Sequence, residues 1–411
     1  MITKIRIKNF KAIQDSGWIA INSLAAFIGN NGSGKSSVIE ALELIHLITR
    51  FGVNEAFKKW GGLESIRNNA AKLAESQIVG TSGFQVDFNP ITVELQVSLD
   101  GSSFEYKIEL NSSTNNDLYI IQSESLFVNS EQILVSAVSD AEGHGRIGIK
   151  LPDEMRAPEE AGLFIVGPSE THLSVYSYLQ KNIFGDIYWS KEFKSFHTFV
   201  FRWQFVNLNS HIMGQPYHLD KTKQSVRLDT SGINIAEYIL DHFKTPDTLN
   251  NLIGKMESVL PYLSDIQITQ VKEFGNKVFL ELQEKEQTSA IPSWLFSAGT
   301  LRILALFSLF TAEEKPSAVF IEEVENGLDP RTVGMIVSEI ENVFNEGSMQ
   351  VFLTTHSPYL LDLLPLESII LTEKTNGVCS FSFPKDIEGI EVWRKKFSPG
   401  KLYSMGKFLS E

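Results

Sequence analysis

The sequence predicts an α/β protein with a largely parallel, two-faced sheet, an antiparallel β lobe and a mixed, partly helical insertion. Three stretches carry this expectation. Near the start, an apolar strand runs straight into a glycine-rich loop and an apolar helix. Between about 84 and 136, apolar and polar residues alternate. From 297 onward, helices alternate with short, continuously apolar strands. Continuous apolar strands between helices are what a parallel sheet needs when it is covered on both faces.

The elements follow in order. Ile5 and Ile7 alternate with Arg6 and Lys8, so the chain opens on a strand. "LAAFI" (24–28) is a second strand, and "GNNGSGKSS" (29–37) follows without a break. Val38, Leu42, Ile45 and Ile48 then recur at helical spacing, with Ile39, Leu44 and Leu47 beside them. In the alternating region, "VDFNPITVELQVSL" (86–99), "FEYKIEL" (104–110) and "LYIIQSESLFV" (118–128) are separated by Asn, Gly and Ser clusters, the pattern of an antiparallel sheet.

Between 137 and 292 the signal is mixed, with helices around 172–182 and 234–243, a loop "MGQPYH" (213–218) and a strand "KVFLELQ" (277–283). Then come a helix "TLRILALFSLF" (300–310), a strand "AVFI" (318–321) and a helix from Arg331 to Phe344. The strands "QVFLTT" (350–355) and "SIILT" (368–372) follow, with a short helix between them. The expected domains are an N-terminal lobe (1–136), a mixed insertion (137–292) that suits partner docking, and a C-terminal lobe (293–411). The principal sheet is split between the first and the last.

Composition excludes several classes. The 411 residues are 43% hydrophobic, enough for a large core or for two lobes sharing one. A single cysteine, Cys379, rules out an intramolecular disulfide framework and fits a reducing compartment. The opening "MITKIRIKNF" lacks the apolar core of a signal peptide. No apolar run approaches the roughly 20 residues that cross a bilayer. A soluble, cytoplasmic protein with no membrane partner is expected. The net charge of −14, from 36 basic and 50 acidic residues, disfavours a surface coated with nucleic-acid contacts, although one local basic face is compatible with it. "FKKW" (57–60) and "WRKKF" (393–397) are expected as solvated faces.

Four segments carry chemistry. "GNNGSGKS" has Gly29, Gly34, Lys35 and Ser36 at the spacing of a phosphate-binding loop. In such a loop the peptide N–H groups and the following helix N-terminus surround phosphate oxygens, here from Asn30, Asn31, Gly32, Ser33, Gly34, Lys35, Ser36 and Ser37. Lys35 reaches the terminal phosphates, and the Ser36 hydroxyl is placed to hold Mg²⁺.

The second segment is "SAVFIEEVENGLDP" (317–330), where an apolar strand ends in Glu322 and Glu323, with Glu325 close behind. Burying unpaired carboxylates is costly, so either this strand end is exposed or a cation sits there. A Mg²⁺–nucleotide supplies one, with Glu322 in the metal role and Glu323 orienting or deprotonating the attacking water. Third, His356 ends an apolar strand in "TTHSPYLLD" (354–362), where the carboxyl ends of parallel strands face the ligand, so it can sense a γ-phosphate or hold the water-activating group. Fourth, Ser297 in "FSAGTLRILALFSLF" (296–310) can cap a helix whose amides near Gly299 and Thr300 face an anion brought by another chain.

Taken in order, "NFKAI", the phosphate loop, "FSAGTLR", "IEEVENGLDP" and "TTHSP" resemble the ABC-type ATPases of the SMC/RecF/OLD class. Among them the chain is most similar to the short AAA-type ATPases of bacterial and phage-defence operons. The resemblance covers residues 1–50 and 290–372 well, and "LDTSGINIAEYI" (228–239) more weakly. It implies a P-loop NTPase with a split ABC-type head that binds ATP and Mg²⁺ and hydrolyses ATP. Ser297, Gly299 and Thr300 would be the signature motif contacting a second protomer's γ-phosphate. Asn326, Gly327, Leu328 and Asp329 would form the loop that communicates across a homodimer or higher homo-oligomer.

Two residue types depart from the family: Glu322 stands where Asp is usual, and "SAG" replaces the double glycine of transporters. The loop bearing a Mg²⁺-sensing glutamine has no clear counterpart. OLD relatives carry a nuclease domain after the switch histidine, and the stretch after His356 is too short for one. The resemblance therefore implies an ATP-driven switch controlling a separate effector encoded nearby, a nuclease or toxin, in antiviral defence. A RecF-like DNA-recognising repair ATPase is the alternative.

Overall fold

The computed structural model describes residues 1–79, 84–112, 119–138, 145–149, 163–166, 170–171, 173–174, 176, 190–219, 226–271, 275–347 and 349–408. The helix expected around 172–182 lies largely outside them. Two compact units emerge: Met1–Trp203 with Glu367–Glu388, and Gln204–Leu366 with Gly389–Glu411. These units cut across the three stretches expected from the sequence. The mixed insertion is divided near residue 203, and the C-terminal lobe contributes residues 367–388 to the first unit.

In the first unit a nine-stranded sheet carries the alternating residues. Ile91–Leu99 lies between Ile2–Phe10 and Ser102–Ser112, antiparallel to both. Ile91, Val93, Leu95 and Val97 face the core, as do Phe104, Tyr106, Ile108 and Leu110 across the ladder, so the period of two read from the sequence becomes one buried face. The segment 86–99 is not one strand. It breaks at Asn89–Pro90 into Phe84–Phe88, paired with Lys72–Val79, and Ile91–Leu99 in the large sheet. Proline has no N–H for a ladder, and the Asn89 N–H leaves the strand to donate to Ala71 O at 2.8 Å.

The same unit holds Leu24–Ile28, buried at every position and parallel to Ile369–Thr375, with Ala26 beside Ile369 and Ile28 beside Leu371. Val378–Ser382 adds antiparallel to the far side of Ile369–Thr375, an element the sequence reading did not include. The helix Lys35–Phe51 buries Val38, Leu42, Ile45 and Ile48, and packs against the helix Lys191–Phe201, where His46 Nδ1 meets Val200 O at 3.0 Å.

In the second unit, Ala318–Ile321 and Gln350–Thr355 pair in parallel and are buried throughout. Three phenylalanines stack across this sheet: Phe205 on Phe320 at 4.3 Å, and Phe320 on Phe352 at 4.6 Å. Such stacked rings add to the burial of their own area. The helices Ala298–Thr311 and Pro330–Asn345 accompany these strands. A smaller sheet of Tyr217–His218, Lys277–Glu284, Leu263–Val271 and Ile291–Pro292 completes the unit together with the helices Ile235–His242 and Pro246–Val259. Lys255 reaches the largely buried Glu339 from Pro246–Val259 at 2.8 and 2.7 Å, joining that helix to Pro330–Asn345. Among the described residues no helix is long and apolar enough to cross a membrane.

Candidate functional site

The glycine loop belongs to the first unit, while the acids, His356 and the helix capped by Ser297 belong to the second. The strand Leu24–Ile28 delivers the chain to Gly29. A Cβ there would stand 1.9 Å from Thr372 O, so the neighbouring strand leaves space for glycine alone. Gly34 opens the helix at φ 112°, a left-handed value, and Cys379 Sγ lies 3.2 Å from where its Cβ would be. Cys379 donates to Ala12 O at 3.0 Å, and burial pushes its thiol pKa up. Lys35 is buried and its Nζ donates to Gly29 O at 2.8 Å and Asn30 O at 3.0 Å.

The helix Lys35–Phe51 has no side-chain cap and no acid in its first turn. Neither a capping side chain nor a first-turn carboxylate offsets the positive end of its dipole. The helices beginning at Lys191, Pro246, Ala298 and Pro330 differ, because Ser190, Thr245, Ser297 and Asp329 cap them. Asn30, Asn31, Gly32 and Ser36 are exposed around the uncapped end, while Ser33 and Ser37 are buried. Ser33 Oγ and Thr372 Oγ1 are buried without a hydrogen-bond partner. Peptide N–H donors, one buried ammonium and an exposed hydroxyl at Ser36 suit a polyphosphate with its Mg²⁺.

At the strand ends of the second unit, burial stops abruptly. Ile321 is buried, Glu322 half-buried and Glu323 exposed. The Glu322 N–H donates to Val206 O at 3.1 Å. Glu323 has φ 48°, a left-handed conformation unusual for a residue with a side chain, and its N–H donates to Thr354 Oγ1 at 3.1 Å. His356 Nε2 lies 3.8 Å from Glu323 Oε1, adjacent but beyond hydrogen-bond length. The third acid, Glu325, turns toward the other strand, where its Oε1 accepts from Thr355 and His356.

The remaining predicted residues sit close by in the same unit. Ser297 Oγ accepts the Thr300 N–H at 3.0 Å, so that amide is already bonded; Thr300 itself is buried. A Cβ on Gly299 would stand 3.4 Å from Gly327 O, which places the start of this helix against the loop after the acids. Asp329 caps Pro330–Asn345 through the Thr332 hydroxyl and N–H, and those bonds hold its carboxyl below the usual range.

Sequence reasoning gave Arg302 no role, yet its Nη2 donates to Leu208 O at 3.0 Å and its Nε is buried without a partner. Burial lowers the guanidinium pKa, and the nearby Glu323 charge opposes that shift. No spacing rule marks such an arginine in an apolar helix. What distinguishes it is the electrostatic influence of Glu323 on its guanidinium.

Comparisons with known proteins bear on the fold and on one segment of the chain. Residues 195–362 match the family described as "AAA domain, putative AbiEii toxin, Type IV TA system". A protein of Helicobacter pylori named "ATP/GTP phosphatase" is 22% identical over 380 residues, which is 89% of this chain and 87% of that protein. A solved SMC head, bound to the C-winged helix domain of ScpA, is similar in fold with a TM-score of 0.53 and 14% identity. That match covers 93% of this chain and 96% of the SMC head chain. The fold is that of a P-loop NTPase with an ABC-type head, and residues 195–362 are similar to an AAA-type ATPase domain.

Proposed function

We propose that the protein is an ATP-hydrolysing switch that dimerises on ATP and controls a separate effector, a nuclease or toxin, in antiviral defence in the cytoplasm. The observation that carries the reading is the long helix Lys35–Phe51, which has neither a side-chain cap nor an acid in its first turn, behind a loop built for phosphates. Lys35 and the peptide groups of Asn30 to Ser37 bind and orient the phosphates. Ser36 and Glu322 are the residues that would hold Mg²⁺, whose charge offsets that of the phosphate oxygens. Glu323 orients the attacking water and accepts its proton, and His356 beside it holds that carboxylate in position. Ser297, Gly299 and Thr300, with the loop from Asn326 to Asp329, face the nucleotide of a second copy.

Two further points support a switch with a separate partner. The matched family description names a toxin system, and the similar SMC head is bound by a second protein, ScpA. Residues 137–292 form the stretch we assign to effector docking.

The test is Glu323→Gln. It is expected to bind ATP normally while turnover falls at least about 100-fold, and native mass measurement should find a trapped dimer. Wild-type turnover in Glu323→Gln, with loss in Glu322→Gln, would show the two acids to have exchanged roles. Expression with neighbouring genes should bring down an untagged effector. Its absence in every nucleotide state, together with DNA-stimulated hydrolysis by the isolated protein, would replace the switch reading with that of a DNA-recognising ATPase.

A further inference from the structure

Glu325 is the third carboxylate of the acidic strand end, and neither the metal role nor the water role uses it. It is half-buried. Its Oε1 accepts two hydrogen bonds, from Thr355 Oγ1 at 2.8 Å and from the His356 N–H at 2.9 Å. Thr355 Oγ1 in turn accepts the Ser357 N–H at 2.9 Å. The peptide groups on both sides of His356 are therefore tied to one carboxylate oxygen, one directly and one through a hydroxyl.

Glu325 is itself held. Its carbonyl accepts the Leu328 N–H at 3.1 Å, while Asn326 N donates to Glu323 O at 2.9 Å, closing the turn that carries both acids. Thr354, one residue before Thr355, receives the Glu323 N–H. Adjacent threonines at the end of Gln350–Thr355 thus tie that strand to both acids of the neighbouring loop. The second oxygen, Glu325 Oε2, is buried and has no hydrogen-bond partner. A buried carboxylate oxygen left unpaired is a cost to folding, and an apolar residue would avoid it. Stability does not account for a polar side chain at this position.

We propose that Glu325 is a positioning residue for turnover. Its carboxylate fixes the backbone at His356, and with it the 3.8 Å approach of His356 Nε2 to Glu323 Oε1, without touching the nucleotide. The inference rests on the roles given above to Glu323 and His356. Reach decides which substitutions preserve the function. Gln keeps an acceptor oxygen at the same distance from both donors, whereas Ala leaves the His356 N–H and the Thr355 hydroxyl without their acceptor.

The experiment is steady-state ATP hydrolysis by the full chain with Mg²⁺, alongside binding of a fluorescent N-methylanthraniloyl ATP. Glu325→Ala is expected to lower kcat about 100-fold, the scale of a small misplacement of catalytic groups. KM and the binding constant should stay within about threefold, since uniform binding is untouched. Glu325→Gln should retain turnover within about threefold, because the acceptor survives. Thr355→Val, which removes only the bridging hydroxyl, should lose roughly tenfold, and Thr355→Ser should recover it. The threonine pair carries the test if Glu325→Ala does not fold.

Unchanged kcat in both Glu325→Ala and Thr355→Val would overturn the proposal. So would a Gln variant as slow as the Ala variant, or a loss confined to KM. Absence of turnover in the wild-type chain is a different result, which removes the ATPase assignment beneath it.

Discussion

In the proposed site the glycine loop offers a ligand peptide groups, whereas the ends of Ala318–Ile321 and Gln350–Thr355 offer side chains. At the loop, conformation is set by space. Thr372 O stands where a Cβ of Gly29 would be, and Cys379 Sγ crowds Gly34. At the acidic strand end, conformation is set by hydrogen bonds between Thr354, Thr355, His356 and the loop from Glu323 to Glu325. The first arrangement should fail through steric clash and is insensitive to which polar groups surround it. The second should fail through loss of single donors or acceptors, with little change in shape.

Three measurements break or sharpen this contrast. The largest effect is expected for Lys35→Ala, because Lys35 is the loop's one side chain with a formal charge. Nucleotide affinity should drop more than about 100-fold by fluorescence titration, the scale of removing a charge-assisted contact to phosphate from a desolvated site. Affinity retained within tenfold would mean that the peptide groups suffice.

Next in size is a pair of glycine substitutions. Gly29→Ala meets backbone at 1.9 Å and should lose about 3 kcal/mol in urea unfolding, the upper end of overpacking costs. Gly32→Ala, at φ 76° with nothing within 4 Å, should lose only about 1 kcal/mol, the cost of a left-handed residue. Equal losses would refute the claim that close approach, and not dihedral strain, dominates at Gly29.

The smallest effect separates two histidines. His356 is half-exposed at its strand end, whereas His197 is buried among Tyr176, Phe193 and Phe201. Burial lowers the His197 pKa to about 4, against a backbone hydrogen bond at Leu173 that raises it. Between pH 6.5 and 4 the unfolded chain therefore binds a proton at this position that the folded chain refuses. Stability of the first unit should fall as pH drops through that window, by at most about 3 kcal/mol. Unfolding midpoints at pH 7.5 and 5 would measure it, and His197→Phe should flatten that part of the slope.

Much of the frame was legible because local pattern and burial agree. Leu24–Ile28, Ala318–Ile321 and Gln350–Thr355 are continuously apolar in sequence and continuously buried in the fold. The break at Asn89–Pro90 was also visible in principle, but flanking alternation on both sides concealed it. Pro246–Val259 was missed because its buried positions reduce to Leu252, Met256 and Val259, a narrow stripe in a polar helix. Val378–Ser382 was missed because an edge strand with alternating exposure has no continuous apolar run.

At the candidate site, the glycine spacing is a property of one short segment and is readable by itself. The work of Glu325 depends on a threonine hydroxyl in another strand, and that of Arg302 on burial beside Glu323. Neither relation has a signature along the chain. Glycine spacing records close backbone approach; a side-chain network leaves its record only after the strands have met.

The pairing of Leu24–Ile28 with Ile369–Thr375 also bears on how the chain matures. Residue 369 registers against residue 26, so the strand leading into the glycine loop leaves the ribosome long before this partner exists. Until residues 367–388 are synthesised, that edge of an apolar strand has open amides and carbonyls, a template for misassociation between nascent chains. Competence to bind nucleotide is thus a late event in biosynthesis, and fragments ending before Ile369 should aggregate instead of accumulating as active half-proteins.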